Sequence, residues 1–179
     1  MADFAKAYKP VTKTLDTVTQ RVVKYMKGLG ITMSCAESCT GGMVSESITS
    51  VPGASEMFLG GIVSYSESVK IALLGVSEST LKEKTVYSKE VASQMSLGVM
   101  KATGSDAAVG ITGVAGPGVG EHGEPVGTVY VSARFKDKEK CKDLALYKEY
   151  EKLDRKMVRI LAAARSLEML LELMENSEG

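Results

Sequence analysis

The sequence predicts an α/β fold in three layers, α/β/α, with a mixed, mostly parallel central sheet. Short apolar segments alternate along the chain with amphipathic segments of helical spacing, as expected when helices cover both faces of a sheet. Late in the chain, Lys136-Asp137 separates two strand-like segments, which predicts a hairpin and an antiparallel edge. No internal repeat or linker divides the 179 residues, so we expect one domain.

The first predicted helix begins after an irregular start. Residues 1–10 show no clear period and end in Lys9-Pro10, so we expect a loose N-terminal arm there and a single domain at 11–176. Helical spacing runs from Val11 until Gly28 and Gly30 end it. A buried strand at 31–36, a Gly-containing turn and a helix to about residue 50 follow.

Serines mark the starts of the next helices. Ser66 is the predicted N-cap of a helix at 67–74 that Gly75 ends, and Ser77 and Ser88 are two further caps. The remaining predicted elements are strands at 61–65, 107–111 and 126–135, a helix from 88 to about 103, a Gly-rich loop at 112–125, a hairpin partner at 140–147 and a helix at 153–175.

Composition indicates an ordinary globular protein. Lys plus Arg and Asp plus Glu each total 22, so the net charge is zero and we expect no direct nucleic-acid binding. No apolar run approaches the roughly 20 residues that cross a bilayer, and residues 1–10 lack a secretory signal, so we expect a cytoplasmic protein without membrane contact. Small α/β enzymes often pair, so a homodimer is the default expectation, although the sequence does not determine it.

Few residues are suited to a metal centre. Cys35, Cys39 and Cys141 with His122 would form a zinc site only if distant segments converged, and zinc-ribbon spacing is absent. Small buried side chains near a strand end are the commoner alternative. We therefore expect no metal and no cofactor.

The single histidine restricts hydrolytic chemistry. A Ser-His-Asp triad would have to use His122, which lies in the Gly-rich loop, a poor place to hold an imidazole rigidly. The same loop has G-x-G-x-x-G spacing at 118–123, but a strand rather than a helix follows, which argues against a dinucleotide-binding turn. Hydrolysis would then depend on Ser, Thr, Lys, Tyr or carboxylate side chains.

Ser38 lies between a predicted strand and a Gly-containing helix start, where sites form in α/β proteins. The main-chain N–H groups that follow would be free to bind a phosphate or a developing oxyanion. The alternative is that Ser38 or Thr40 only caps the helix. The four residues with these N–H groups are Cys39, Thr40, Gly41 and Gly42.

Lys70 falls in the first turn of the helix after Ser66, where the helix dipole disfavours a cation. If it is also partly buried, its pKa falls and the neutral amine can act as a base; the alternative is a solvated surface lysine. Tyr65, at the preceding strand end, either points into the same region or is a half-buried core aromatic.

The Gly-rich loop and the last helix offer binding groups. Residues 112–118 are a candidate main-chain cradle, with Gly113 and Gly116 against the substrate, although they equally suit a wide turn. Arg155 and Arg159 lie one turn apart and could meet a phosphate, unless they belong to a solvated helix face.

Six segments match the motifs of one family in order: 36–42, 51–55, 58–66, Lys70 with 73–76, 110–118 and 125–130. Over roughly residues 15–173 the chain resembles the CinA C-terminal domain, also called the nicotinamide mononucleotide deamidase family. That resemblance implies a three-layer α/β/α domain that hydrolyses the carboxamide of nicotinamide mononucleotide, without a metal, in pyridine nucleotide salvage. The products would be nicotinate mononucleotide and ammonia.

Residue by residue, the resemblance implies Ser38 as nucleophile and Lys70 as its base. Tyr65 would assist Lys70, Thr112 would orient the amide or the oxyanion, and Arg155 would lie near the substrate phosphate. Presence of the first four together favours an enzyme. The rival hypothesis is an inactive nucleotide-binding module, or a protein-interaction module related to competence.

Overall fold

The structure is a computed structural model that describes the main chain of residues 2–177 and the side chains of residues 8–177. Its central sheet has five strands in these residues, in the order β2-β1-β3-β4-β5. The strands are β1 (Met33–Glu37), β2 (Phe58–Val63), β3 (Ala107–Gly113), β4 (Val129–Phe135) and β5 (Lys138–Asp143). The helices are α1 (Ala2–Leu29), α2 (Met43–Thr49), α3 (Glu67–Leu74), α4 (Glu78–Lys84), α5 (Lys89–Thr103) and α6 (Arg155–Glu175).

The sheet is mixed and mostly parallel, as predicted. Strand β1 pairs in parallel with β2 and with β3, whereas β4 is antiparallel to both β3 and β5. Strand β4 alone therefore runs against the other four. The predicted hairpin is confirmed, because Phe135 pairs with Lys138 across Lys136-Asp137.

Helices cover both faces of the sheet, which confirms the three-layer fold. Helices α1, α2 and α6 cover one face of the sheet and form the larger apolar core with it, which includes Val109 and Ile111. Helices α3, α4 and α5 cover the other face, where Ala36 and Ala108 belong to a smaller apolar cluster. Alternate residues of a strand point to opposite faces, so each central strand contributes to both cores.

The three predicted serine caps are confirmed. The side chains of Ser66, Ser77 and Ser88 accept hydrogen bonds from the first-turn N–H groups of α3, α4 and α5. Helix α3 ends at Gly75, whose left-handed backbone suits glycine. Caps and end glycines act over a few residues, which is why local sequence predicted them.

The predicted loose arm at 1–10 is wrong for residues 2–10, which continue α1 without a break through Pro10. Met1 lies outside the described residues. The side chain of Tyr8 packs against the larger core, and its hydroxyl donates a hydrogen bond to Asp154. These tertiary contacts outweigh the weak local signal for a helix. Within the described residues, no helix is both long and apolar enough to span a bilayer.

Two strands also differ from the predicted bounds. Strand β2 begins at Phe58 rather than 61, because its pairing with β1 extends back through a register shift opposite Met33. Strand β5 covers Lys138–Asp143, since the two-residue turn fixes its start, whereas the prediction placed it at 140–147.

Candidate active site

The carboxyl ends of three parallel strands meet at one pocket. Ser38 follows β1, Tyr65 follows β2, and the loop that begins at Val114 follows β3; all three residues line a cavity of about 390 Å³. Parallel strands end at the same sheet edge, so the topology brings these distant segments together. The volume lies within the range of small-molecule sites.

Ser38 and Lys70 form a hydrogen-bonded pair beside this pocket. Lys70 Nζ donates to Ser38 Oγ at 3.1 Å and to the carbonyl oxygen of Ser64 at 2.6 Å. The carbonyl of Tyr65 lies 3.5 Å from the same amine. The main chain of Ser38 is also held in place, because its N–H donates to the carbonyl oxygen of Ile111 on β3. The alternative of a helix-capping Ser38 is therefore wrong.

Lys70 is fully buried, with 0% of its surface exposed, so it is not the solvated lysine of the alternative hypothesis. Burial lowers its pKa from 10.5 to about 8, a shift that the nearby Glu67 carboxylate opposes weakly. No carboxylate pairs with the amine in the described residues. A substantial fraction of Lys70 is therefore neutral near physiological pH.

Tyr65 is placed differently from the role that the resemblance implies. Its side chain is 64% exposed, and its hydroxyl accepts a hydrogen bond from Arg155 at 2.9 Å. Tyr65 reaches Lys70 through its main-chain carbonyl instead. The side chain lines the same pocket as Ser38, as one of the two alternatives expected, and it holds Arg155 at the pocket rim.

Arg155 lies in the pocket wall and is the first residue of α6. Asp154 caps that helix by accepting from the N–H of Met157. The Arg155 guanidinium donates to the carbonyl of Gly116 at 2.6 Å as well as to Tyr65. Two fixed partners orient this cation toward the pocket, where it can meet an anion.

Arg159, one turn along α6, does not share the pocket. Its Nε and Nη2 donate to the carbonyl of Thr40 at 3.0 and 2.8 Å. The two arginines predicted to bind a phosphate therefore have different positions: Arg155 faces the pocket, and Arg159 is hydrogen-bonded to the loop after Ser38.

Glu37, next to Ser38, was missed by the sequence analysis. Its buried carboxylate accepts from the N–H groups of Gly42, Val44 and Ser45 at 3.0, 3.1 and 2.9 Å. A carboxylate at a helix N-terminus is favourable, so Glu37 takes the capping role that was assigned to Ser38 or Thr40. An acidic residue shortly before a helix start is the signal that could have found it.

Glu37 also corrects the set of free N–H groups. Gly42 donates to Glu37, and Gly41 donates to the carbonyl of Ser38 at 3.1 Å, so neither is free for a ligand. Cys39, Ala115 and Gly116 are three described residues of the pocket wall whose N–H groups donate to no main-chain carbonyl. Thr40 is fully buried and lies outside the pocket wall, whereas Gly113 and Gly116 line it as expected.

Cys39 is a poor rival nucleophile although it lines the pocket. Burial raises the pKa of its thiol to about 12, so the reactive thiolate is scarce at neutral pH. His122 lies in a neighbouring cavity rather than at Ser38, so a triad through it is not formed. Among the side chains of residues 8–177, no three His, Cys, Asp or Glu residues are grouped to hold a metal.

Thr112 lies at the end of β3 but does not face the pocket. It is fully buried, and its Oγ1 donates to the carbonyl of Val86 at 2.8 Å. Its hydroxyl hydrogen is therefore directed at the main chain and not at a substrate amide or an oxyanion.

These observations define a three-layer α/β/α domain with a serine–lysine pair at the carboxyl edge of its sheet. The profile of the CinA C-terminal domain matches residues 15–174. The chain belongs to that family.

Related proteins differ in length. The nicotinamide-nucleotide amidohydrolase PncC of Enterobacter agglomerans is 40% identical over 159 residues, which are 89% of this chain and 94% of that protein. A CinA-like protein of Gloeothece citriformis is 42% identical over 87% of this chain, but the match covers 37% of that protein. The match to a CinA-like protein of Desulfotalea psychrophila covers 66% of this chain and 29% of that protein. The chain thus spans about a third of these CinA-like relatives.

Solved structures share the fold. A CinA superfamily protein from Klebsiella pneumoniae 700603 superposes with a TM-score of 0.85 at 27% identity, over 90% of this chain and 98% of that one. The competence/damage inducible protein CihA from Agrobacterium tumefaciens superposes with a TM-score of 0.83 at 30% identity, over 89% of this chain and 95% of that one.

Proposed function

We propose that this chain hydrolyses the carboxamide of nicotinamide mononucleotide, with Ser38 as nucleophile and Lys70 as its base. The observation that carries the proposal is the contact of 3.1 Å between Lys70 Nζ and Ser38 Oγ at the wall of a small-molecule pocket. The name and near-complete coverage of the PncC relative support the substrate. The substrate's phosphate would meet the cationic Arg155 in the same wall.

The surroundings of Lys70 favour its action as a base. A neutral amine has two N–H groups and one lone pair, and the carbonyls of Ser64 and Tyr65 accept the two N–H groups. The lone pair then faces Ser38 Oγ. Lys70 can therefore take the hydroxyl proton as Ser38 attacks the amide carbon.

The rest of the reaction uses groups already in place. The tetrahedral oxyanion would accept hydrogen bonds from free N–H groups, for which Cys39 lies next to the nucleophile and Ala115 and Gly116 lie in the opposite loop. The Lys70 ammonium returns its proton to nitrogen as the C–N bond breaks and ammonia leaves. Water then attacks the Ser38 ester, Lys70 takes a water proton, and the Ser38 oxygen recovers it as the acid departs.

The test is ammonia and nicotinate mononucleotide release from nicotinamide mononucleotide by wild type, Ser38→Ala and Lys70→Met. We expect release by wild type and a loss of about 10⁴-fold or more in either variant, because the pair acts as a unit. Folded wild-type protein that releases no ammonia would contradict the proposed reaction. Activity retained in Lys70→Met would contradict the proposed base. Calorimetric binding of the nucleotide to Ser38→Ala shows separately whether the pocket recognises it.

A further inference from the structure

We propose that Thr112 is a positioning residue, which holds the wall between the Ser38 pocket and a second cavity and so determines how tightly the nucleotide binds. This inference rests on the proposed function. It replaces the direct role toward the amide or the oxyanion that the resemblance implies for Thr112.

The wall is defined by the residues that the two cavities share. A second cavity of about 370 Å³ lies next to the Ser38 pocket, and His122 and Thr85 are part of its lining. Four residues line both cavities: Glu67, Glu121, Val86 and Tyr87. Val86 and Tyr87 form a continuous piece of chain between α4 and α5. We call residues 85–88 the dividing segment.

One strong bond from the sheet reaches this segment. Thr112 Oγ1 donates to the carbonyl of Val86 at 2.8 Å, and Thr112 has no exposed surface. A buried carbonyl that loses its donor is costly, so the bond constrains where Val86 lies. The position of Val86 then fixes one side of the Ser38 pocket.

The dividing segment depends on such a constraint because its backbone is strained. Thr85 has φ 63° and ψ 168°, a conformation that glycine adopts readily and a β-branched residue does not. The local bonds are longer: Tyr87 N donates to Thr85 Oγ1 at 3.3 Å, and Ser88 Oγ donates to the Thr85 carbonyl at 3.2 Å. Without the Thr112 bond, the segment can relax and displace Val86 and Tyr87.

Loss of the Thr112 hydrogen bond should weaken nucleotide binding rather than slow the chemical step. Ser38, Lys70 and the two carbonyls that hold the amine are not bonded to residues 85–88. A displaced wall would widen the pocket toward the second cavity and loosen the nucleotide while the Ser–Lys pair stays intact. KM should therefore change more than kcat.

The experiment compares wild type, Thr112→Val, Thr112→Ser and Thr19→Val. Thr19→Val is the matched control, because buried Thr19 donates to the carbonyl of Leu15 at 2.7 Å in α1, away from the pocket. Steady-state kinetics with nicotinamide mononucleotide and amide hydrogen exchange at residues 85–88 are measured on each protein.

We expect Thr112→Val to raise KM about tenfold, with kcat within about threefold of wild type. Exchange at 85–88 should become faster in that variant alone, because local opening becomes easier. Thr112→Ser should restore both values. A fall in kcat at constant KM would overturn the proposal in favour of direct catalysis, and unchanged exchange would show that Thr112 does not hold the segment. If wild type releases no ammonia, the proposed function fails, and the exchange result still decides whether the wall is held.

Discussion

Among the described residues, no carboxylate pairs with the buried amine of Lys70, the side chain on which the proposed mechanism depends. Lys70 has carbonyl and hydroxyl oxygens around its amine, and burial lowers its pKa to about 8. Burial alone thus leaves part of this amine neutral near physiological pH, which is the property that the proposed base requires. Two predictions follow from this single side chain.

The rate should depend on pH through Lys70. Below its pKa of about 8 the amine is protonated and cannot accept the Ser38 proton, so kcat/KM should rise about tenfold per pH unit and level off above pH 8. Hydrolysis of nicotinamide mononucleotide from pH 5.5 to 9.5 measures this. A profile that is flat between pH 6 and 8 would contradict the assignment of Lys70 as the base.

The free energy of unfolding should also depend on pH through Lys70, and the direction of the dependence can be predicted. The folded-state pKa of Lys70, about 8, lies below the ordinary 10.5, so between these values the unfolded chain binds more protons and the unfolding free energy rises with pH. Relative to Lys70→Met, wild type should gain up to about 3 kcal/mol from pH 7 to 10.5. Urea unfolding of both proteins tests this, and a constant difference would contradict it.

Secondary-structure elements set the distance between the Lys70 amine and the Ser38 hydroxyl. Helix α3, which carries Lys70, is held by close packing on α5. A Cβ added at Gly98 of α5 would lie 2.0 Å from the carbonyl oxygen of Leu74 in α3. Since α3 carries Lys70, any displacement of this helix moves the amine relative to Ser38. The packing of these two helices therefore bears on the distance between the Lys70 amine and the Ser38 hydroxyl.

Gly98→Ala should accordingly impair both stability and activity. We expect a loss of about 1–3 kcal/mol from overpacking and a fall in kcat of roughly tenfold or more, measured by urea unfolding and by ammonia release. Gly28→Ala is the matched control, because Gly28 also lies in a helix and has open space at its Cβ. That variant should gain up to about 1 kcal/mol and keep kcat. Equal effects of the two changes would argue against the packing explanation.

Element prediction from sequence succeeded where the signals are local. Ser66 and Gly75 bracket α3 within ten residues, and the turn at Lys136 also lies in its own neighbourhood. The complete burial of Lys70 depends on segments that meet only in the folded sheet, whereas Glu37 bonds N–H groups five to eight residues along the chain and was within reach of a local signal. Family resemblance supplied the pairing of Ser38 with Lys70, but it did not supply side-chain directions, so the contact of the Tyr65 hydroxyl with Arg155 was not foreseen.

At the scale of the whole molecule, the start of α1 is joined to the start of α6. Tyr8 donates to Asp154, which caps α6 immediately before Arg155, and Lys156 lies 4.9 Å from the Tyr8 ring centre. The segment predicted as a loose arm thus supports a helix that presents a pocket residue. Sequence could not show this, because 146 residues separate the two partners.

Tyr8→Ala should therefore act at a distance. We expect a lower urea midpoint of unfolding and a rise in KM of roughly threefold, as the start of α6 loosens around Arg155. Arg21→Ala is the control at the opposite end of the α1–α6 contact, where Arg21 pairs with Glu175 at 3.5 Å on the surface. That change should alter stability by less than about 0.5 kcal/mol and leave KM unchanged.

The position of Tyr8 also bears on how the protein can be attached to other objects. A dye, bead or fusion partner joined ahead of α1 would be about 9 Å, or six helical residues, from Tyr8, the residue that contacts Asp154 near the pocket rim. One joined after α6 would stand about 30 Å away, since that helix has 21 residues. Immobilisation through the carboxyl-terminal side therefore leaves the pocket open to solvent, whereas attachment at the other terminus crowds its entrance.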